Sequence, residues 1–250
     1  MNIKTLLKKT IMPNTYSQQA YIDYLRRNCV VIGDNVSIYA PNHTSIDIRK
    51  PWLIRIGNNC KITSEVTILA HDYSVSVPRR MFGKFVGGGL PVTIGDNVFI
   101  GTKSTILMGT TIGNNCIVGA NSVVKGQFPD NCVIAGNPAR VICSVNEYYD
   151  KNLKNWKDNA KKCAIAIYKN SGHKPTIEEM SDGYAWLYLD RSSENIEKYK
   201  HFFNLSSDDY EDVVACFMKT EPLYSSFDAF IEDCDFDGAI SKGVDSNDNN

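Results

Sequence analysis

The sequence predicts a mainly β fold: a coil of short stacked strands, with a helix before it and a helical segment after it. Two observations carry the prediction. A branched aliphatic residue returns at every sixth position through the middle of the chain. The flanks drop that period and carry helix-start signals in its place.

From Ile94 the aliphatic positions are Ile94, Ile100, Ile106, Ile112, Val118 and Val124. Gly95, Gly101, Gly113 and Gly119 come directly after, and small side chains (Val98, Ser104, Thr110, Cys116, Ser122) lie four positions on. The same register holds at Ile56, Ile62 and Ile68 and in a shorter stretch at Ile32 and Ile38, with a last match at Ile134. A period of six suits neither an amphipathic helix nor a two-residue alternation. It suits a short flat strand followed by a corner, three such units making one triangular turn. The aliphatic points inward, and isoleucine and valine fit the stacked, pleated surfaces. Gly-Asp-Asn and Gly-Asn-Asn recur at 33–35, 57–59, 95–97 and 113–115, where turn-forming side chains belong. Cys60 and Cys116 fall at the small inward position and are expected to be buried as apolar groups.

In the flanks, Thr15-x-x-Gln18 has capping-box spacing for a helix through about Asn28. Ser144-x-x-Glu147 opens another toward Asn170 and Gly172. Thr176-x-x-Glu179 predicts a third, with Tyr184, Trp186, Leu187 and Leu189 as its apolar content. Ser206 to Asp209 precedes a fourth through Phe217 and Met218, and a short one spans Phe227–Cys234. The expected organisation is therefore an N-terminal helical segment (1–31), a β domain (32–143) carrying a loop (74–91), a helical appendage (144–236) and a disordered acidic tail (237–250).

Composition narrows the classes. Hydrophobic residues make up 43% of the 250 and charged residues 22%, ordinary proportions for a soluble protein. A formal net charge of −1 gives no global attraction to nucleic acid or an anionic membrane, so any anion-binding surface must be local. No apolar run approaches the ~18 residues of a membrane span, and the N-terminus lacks a signal peptide's apolar stretch. The eight cysteines form no C-x-x-C pair and no Cys/His cluster of zinc spacing, which predicts a cytoplasmic protein with reduced thiols and no metal.

The chemistry is expected where the repeat fails. Ile68-Leu69-Ala70-His71-Asp72-Tyr73 begins a unit, but Asp72 falls at the inward position, which an aliphatic interior does not accept. The next in-phase aliphatic, Ile94, comes twenty residues late. Insertions longer than about 12–15 residues are more often functional than accidental. This one contains Arg79, Arg80, Lys84 and Gly87-Gly88-Gly89, the makings of a mobile segment over a site. His71 stands at its root, between an apolar wall and a polar loop, where an imidazole can serve as a general base.

The pattern I-G-x-x-[small]-x, with Ile68–Ser74, Val92–Gly101, Val118–Lys125 and Ala135–Val141, resembles the hexapeptide-repeat acyltransferase family, in its capsular or lipopolysaccharide sugar O-acetyltransferase branch. The resemblance covers roughly 32–142. It implies a left-handed parallel β-helix and a homotrimer in which the long loop reaches a neighbouring subunit. It also implies transfer from acyl-coenzyme A (acetyl-CoA) to a sugar hydroxyl by direct attack, with His71 as base and no metal. By the same resemblance the backbone at Gly101-Thr102 is the oxyanion donor. Thr102 and Ala120 flank the pantetheine arm, and Lys125 and Arg140 meet the nucleotide phosphates. Asn42 is a candidate acceptor contact, and Asp72 a candidate to contact substrate or orient the imidazole.

The chain departs from the family pattern at Asn121, where a glycine is usual, at Lys125, which comes one position early, and at Phe99 and Met108. Asn42 is out of register by about one residue. N-acetylation of an amino or nucleotide sugar and a non-catalytic assembly scaffold remain open. A γ-class carbonic anhydrase needs three histidines for zinc, and the repeat offers only His43 and His71.

Overall fold

The computed structural model describes residues 3–204 and 208–236, which fall into two compact units, Met1–Tyr149 and Asp150–Asn250. The expected disordered tail and the Ser206-Ser207 helix start lie outside the described residues.

Two helices, α1 (Ile3–Ile11) and α2 (Gln18–Arg27), precede the coil, and α1 was not foreseen. The cap of α2 is Ser17, whose hydroxyl accepts from the Ala20 N–H at 3.2 Å. Thr15 does not serve, because Pro13 to Thr15 form a turn.

The coil makes four full triangular turns. The first is β1 (Val31–Ile32), β2 (Ser37–Ile38) and β3 (Ser45–Ile46); the second is β4 (Ile54–Ile56), β5 (Lys61–Ile62) and β6 (Thr67–Ile68). The third is β7 (Val92–Ile94), β8 (Phe99–Ile100) and β9 (Thr105–Ile106); the fourth is β10 (Thr111–Ile112), β11 (Ile117–Val118) and β12 (Val123–Val124). A last partial turn holds β13 (Gln127–Phe128) and β14 (Cys132–Gly136), followed by β15 (Ala139–Ser144). Parallel pairing gives three sheets: β1-β4-β7-β10-β13, then β2-β5-β8-β11-β14 with β15 antiparallel at its end, and β3-β6-β9-β12.

The register stacks like on like. Ile56 pairs with Ile94, Ile62 with Ile100, Ile68 with Ile106, and Val118 with Ile134. All of these side chains are buried in one column. Each contributes about 1.5–3 kcal/mol on burial, which is why a two-residue strand can hold its place. Cys60 and Cys116 are buried at the corner position, and Cys132 lies above Cys116, in the next turn, with the sulfurs 3.7 Å apart.

Both ends of the coil are covered, as exposed sheet edges require. At the first turn Tyr21, Ile22 and Leu25 of α2 pack on the core. Polar groups of α2 take up the open backbone: Gln18 Oε1 accepts from the Ile38 N–H, Tyr21 Oη from the Ile46 N–H, and Arg26 donates to the Ile32 and Gly33 carbonyls. At the other end β15 covers β14.

The corner between the first and second sheets carries two ladders. Asn35, Asn59, Asn97, Asn115 and Asn131 all have positive φ, 54° to 61°, a region asparagine tolerates better than most residues. Beside them Asp34, Asn58, Asp96, Asn114 and Asp130 alternate in charge. The carbonyl or carboxylate oxygen of each of the last four accepts the backbone N–H of the one in the turn before, at 2.7–2.9 Å.

The second unit has its own core. Helix α4 (Val145–Ser171) opens with the foreseen capping box, Ser144 and Glu147 bonded reciprocally. The Thr176–Glu179 box also forms, but only a turn follows it. Tyr184, Trp186 and Leu187 belong instead to a 3-10 helix, Asp182–Leu187, and Leu189 lies just past its end. Then come α5 (Ser193–Lys198), α6 (Tyr210–Met218), capped by Asp209, and α7 (Phe227–Glu232), shorter than expected. Ala160, Ala164, Leu187, Tyr188, Phe217 and Phe230 are buried together.

Candidate active site

The excursion between β6 and β7 is not the structureless loop its length suggests. It contains a helix, α3 (Ser76–Phe82), ended by Gly83 in the left-handed conformation. Its two arms meet at the root. His71 forms an antiparallel bridge with Gly89, and the Leu90 N–H donates to the Ala70 carbonyl at 3.0 Å. Gly89 must be glycine: an added Cβ would lie 2.6 Å from the Ala70 oxygen and 2.5 Å from Lys50 Cδ.

This root fixes His71 at the corner between the third sheet and the first, with 16% of its side chain exposed. Its Nδ1 is hydrogen-bonded to Asp47 Oδ2, and its ring meets Tyr73 edge-on at 5.5 Å. Asp47 is buried, one residue past β3 in the turn below. Its Oδ1 accepts from the Arg49 N–H at 2.8 Å, and its Oδ2 also accepts from the Ala70 N–H at 3.1 Å. Burial pushes the carboxyl upward, but the hydrogen bonds from Arg49, His71 and Ala70 and the His71 charge outweigh it and leave it below the ordinary value. The carboxylate therefore stays charged and acts only as an acceptor. An acceptor there requires a proton on Nδ1, which turns the basic lone pair of a neutral ring onto Nε2.

Asp47 was missed in the sequence, and Asp72 does not take its place as the group that orients the imidazole. Asp72 is exposed, and its Oδ1 accepts from the Ser74 N–H and hydroxyl at 2.9 and 2.6 Å. Its carboxyl is held low first by the two Ser74 hydrogen bonds and then by the Lys125 and His71 charges. Asp72 and Lys125 thus share the His71 corner.

The remaining candidates lie at another corner, between the second and third sheets. Asn42 is there in the first turn, Gly101 and Thr102 in the third, and Ala120 in the fourth. Thr102 and Ala120 are exposed, and the Thr102 hydroxyl donates to the Ser64 carbonyl at 2.8 Å. The Gly101 N–H is engaged in the coil, donating to the Val118 carbonyl at 2.8 Å. Arg140 stands exposed on β15, next to the β14–β15 hairpin that leaves this same side. One chain therefore carries two groups: Asp47, His71, Asp72 and Lys125 at one corner, and Asn42, Gly101, Thr102, Ala120 and Arg140 toward the other. Among the described residues no three His, Cys, Asp or Glu side chains gather as metal ligands.

Known proteins carry the same repeat. A family model described as the hexapeptide repeat of succinyl-transferase matches residues 91–125. Protein CapG of Staphylococcus aureus is 41% identical over 133 residues, 53% of this chain and 76% of that one. The galactoside O-acetyltransferase of Escherichia coli is 37% identical over 114 residues, 44% of this chain. Its "Putative lipopolysaccharide biosynthesis O-acetyl transferase WbbJ" is 33% identical over 142 residues, 54% of this chain and 68% of that one. The chain spans only 55% of the galactoside enzyme's length. With a six-residue coil, a matching repeat model and relatives covered over more than two thirds of their length, the chain belongs to the hexapeptide-repeat acetyltransferase family.

Proposed function

We propose that the protein is an acetyl-CoA-dependent O-acetyltransferase acting on a saccharide hydroxyl, with His71 as general base. The observation that carries this reading is the Asp47–His71 pair at the root of the excursion. The relatives whose names specify a sugar or polysaccharide context support the acceptor class.

In this mechanism His71 Nε2 takes the proton of the acceptor hydroxyl as its oxygen attacks the acyl carbonyl, and the imidazolium returns that proton to the departing thiolate as the C–S bond breaks. Asp47 holds the ring in the required tautomer and stabilises the imidazolium that forms. Bound acetyl-CoA supplies an acyl group already activated as a thioester, so no acyl-enzyme is needed and positioning does much of the work. Thr102 and Ala120 would lie along its arm, and Lys125 and Arg140 would meet its phosphates. Because the Gly101 N–H is engaged, the oxyanion role passes to the Thr102 N–H.

The two corners of one chain also favour a homotrimer. A three-fold arrangement sets the His71 corner of one copy against the Thr102–Ala120 corner of the next, completing each site from both halves. The left-handed winding of the coil and a cytoplasmic location, where acyl-CoA is available, belong to the same proposal. Among the described residues no helix is long and apolar enough to cross a membrane.

The test is acetyl transfer from acetyl-CoA across a panel of sugars, nucleotide sugars and serine, with the parent chain and His71→Ala. Transfer to a sugar hydroxyl that His71→Ala abolishes is the expected result. Transfer undiminished in His71→Ala removes the base assignment. No transfer to any acceptor favours the scaffold reading, and amide formation on an amino sugar would replace O- with N-acetylation.

A further inference from the structure

The three corners of the coil differ in charge. Between the first and second sheets stand Asp34, Asp96 and Asp130, with Asn58 and Asn114 interleaved. Between the second and third, Glu65 and Lys103 face each other at 3.9 Å. The His71 corner is cationic: its first-turn segment, 47–53, contributes Arg49 and Lys50, and its fourth turn contributes Lys125. The carboxylates there are engaged, Asp47 by His71 and the Arg49 and Ala70 N–H groups, Asp72 by Ser74. Among the described residues no ion pair or hydrogen bond engages the Arg49 guanidinium or the Lys50 ammonium.

Lys50 stands beside the base. Its stem lies on Gly89, the bridge partner of His71: Lys50 Cδ is 2.5 Å from the point a Cβ on Gly89 would occupy. The side chain is half-buried there, so packing restricts a stem that would otherwise be flexible. The acyl donor does not account for this cation. Thr102, Ala120, Lys125 and Arg140 belong to the third turn, the fourth turn and β15, whereas Arg49 and Lys50 belong to the first. With turns stacked about 4.8 Å apart, Lys125 and Lys50 are separated by roughly 14 Å along the coil, and His71 lies at a height between them. Phosphates held by Lys125 and Arg140 leave the first-turn cations unanswered. The corner that a neighbouring copy would set against them does not answer them either. Of its segments 39–44, 63–66, 101–104 and 119–122, the sole acidic residue is Glu65, which faces Lys103 of its own chain.

We infer that the acceptor is an anionic saccharide, whose carboxylate or phosphate is held by Lys50, with Arg49 beside it, while its hydroxyl meets His71 Nε2. The inference rests on the acetyltransferase reading and names the acceptor class of that same site. The hydroxyls of a neutral sugar call for no cation, whereas an oxyanion gains a charge-assisted contact from one. A single such contact beside the base also decides which hydroxyl of the ring comes within reach of Nε2. Lys50 is a point charge and takes either source of the oxyanion, a uronic acid or a sugar phosphate.

The experiment is acetyl transfer from acetyl-CoA by the full chain to three matched sets of acceptors. These are glucose and galactose, glucuronate and galacturonate, and the 1-phosphates of glucose and galactose. One anionic set should show kcat/KM about tenfold or more above the neutral sugars, an advantage that shrinks with added salt; which set it is identifies carboxylate or phosphate. Lys50→Met keeps the stem on Gly89 and removes the charge. It should cancel the preference by raising the KM of the anionic acceptors about tenfold relative to the neutral ones, and Lys50→Arg should retain most of it. If Lys50→Met does not fold, Arg49→Gln, at an exposed position, decides by the same ratio. Neutral sugars accepted as well as the anionic ones, or a preference intact in folded Lys50→Met, overturns the inference and leaves the acetyltransferase reading standing. If no acceptor is acetylated, calorimetry with glucuronate and glucose 1-phosphate separates the two. Binding that Lys50→Met weakens keeps the anion site and removes the activity, and no binding removes both.

Discussion

Asp47 and His71 are joined by a hydrogen bond from the ring to the carboxylate, although twenty-four residues separate them in the chain. The contact exists because β3 and β6 are stacked in register, with Ile46 beneath Ile68, so the residues just past each strand meet at the same corner. Asp47→Asn should preserve the shape and lose the function. An amide NH2 facing Nδ1 favours the wrong tautomer, placing the ring's proton on Nε2 where the base must be empty. We expect kcat to fall by about 10²- to 10⁴-fold with little change in KM. An unchanged kcat in a folded Asp47→Asn protein would remove Asp47 from the mechanism.

Gly89 sets where that pair stands. A methyl group there would press on the Ala70 carbonyl oxygen, which is backbone and cannot swing away. Gly89→Ala should therefore lift the excursion root off His71 while leaving the stacked strands intact. The expected result is a loss of at least about 10²-fold in kcat, since a displacement near 1 Å is enough. Thermal unfolding should keep a midpoint near that of the parent, because the coil core lies on the other side of the wall. A large fall in stability with normal activity would contradict this division.

The coil was legible because its signal is redundant. Ile56, Ile62, Ile94, Ile100 and Ile112 each repeat the same demand, and no single departure obscures it. The first turn was legible only in part. Ile46 follows Ile38 by eight residues instead of six, since the corner at 39–44 is longer, and so β3 was missed and Asp47 with it. The signal that could have found Asp47 is a carboxylate directly after an isoleucine one turn below the break. His71 was visible as the point where the period stops. Asp72 shows why adjacency in sequence is a poor guide at a corner, where its carboxylate turns to Ser74 and leaves the imidazole to Asp47. Helix α3 was hidden by Gly83 and the glycine run, which signal a loop even though Ser76 to Phe82 coil tightly.

The alternating ladder at the opposite corner makes a separate prediction. Asn114 lies between Asp96 and Asp130, its oxygen accepting the Asp96 N–H and its own N–H bonded to Asp130. Asn114→Asp keeps the size and the acceptor but stacks three carboxylates in consecutive turns. Like charges directly opposed cost about 1 kcal/mol at low salt. The urea midpoint should fall at low ionic strength and recover at about 1 M salt, where screening acts over ~3 Å. Asp96→Asn, which removes a charge and keeps the acceptor, should not fall. A salt-independent loss in Asn114→Asp would mean that the side-chain amide, not charge, is what the corner requires.

In the second unit Asp233 Oδ2 collects Lys161 at 2.8 Å, Lys157 at 3.1 Å and the Tyr224 hydroxyl at 2.7 Å. The Lys161, Tyr224 and Lys157 hydrogen bonds, in that order, hold its carboxyl well below the ordinary aspartate value. Burial first, and the adjacent Asp233, push the Tyr224 phenol above its own. A depressed carboxyl stabilises the folded state above the ordinary value of 3.8 and loses that contribution as pH falls toward its folded value. A raised phenol has the opposite sign: its contribution is complete below pH 10.0 and lost as pH rises beyond it. The tyrosine near-ultraviolet signal of the second unit should therefore be flat through neutrality and change on acidification below pH 3.8. Asp233→Asn should be less stable than the parent at pH 7 and should converge with it in acid. Parallel acid titrations of the two proteins, with a constant difference between them, would show that Asp233 acts through packing and not through its charge.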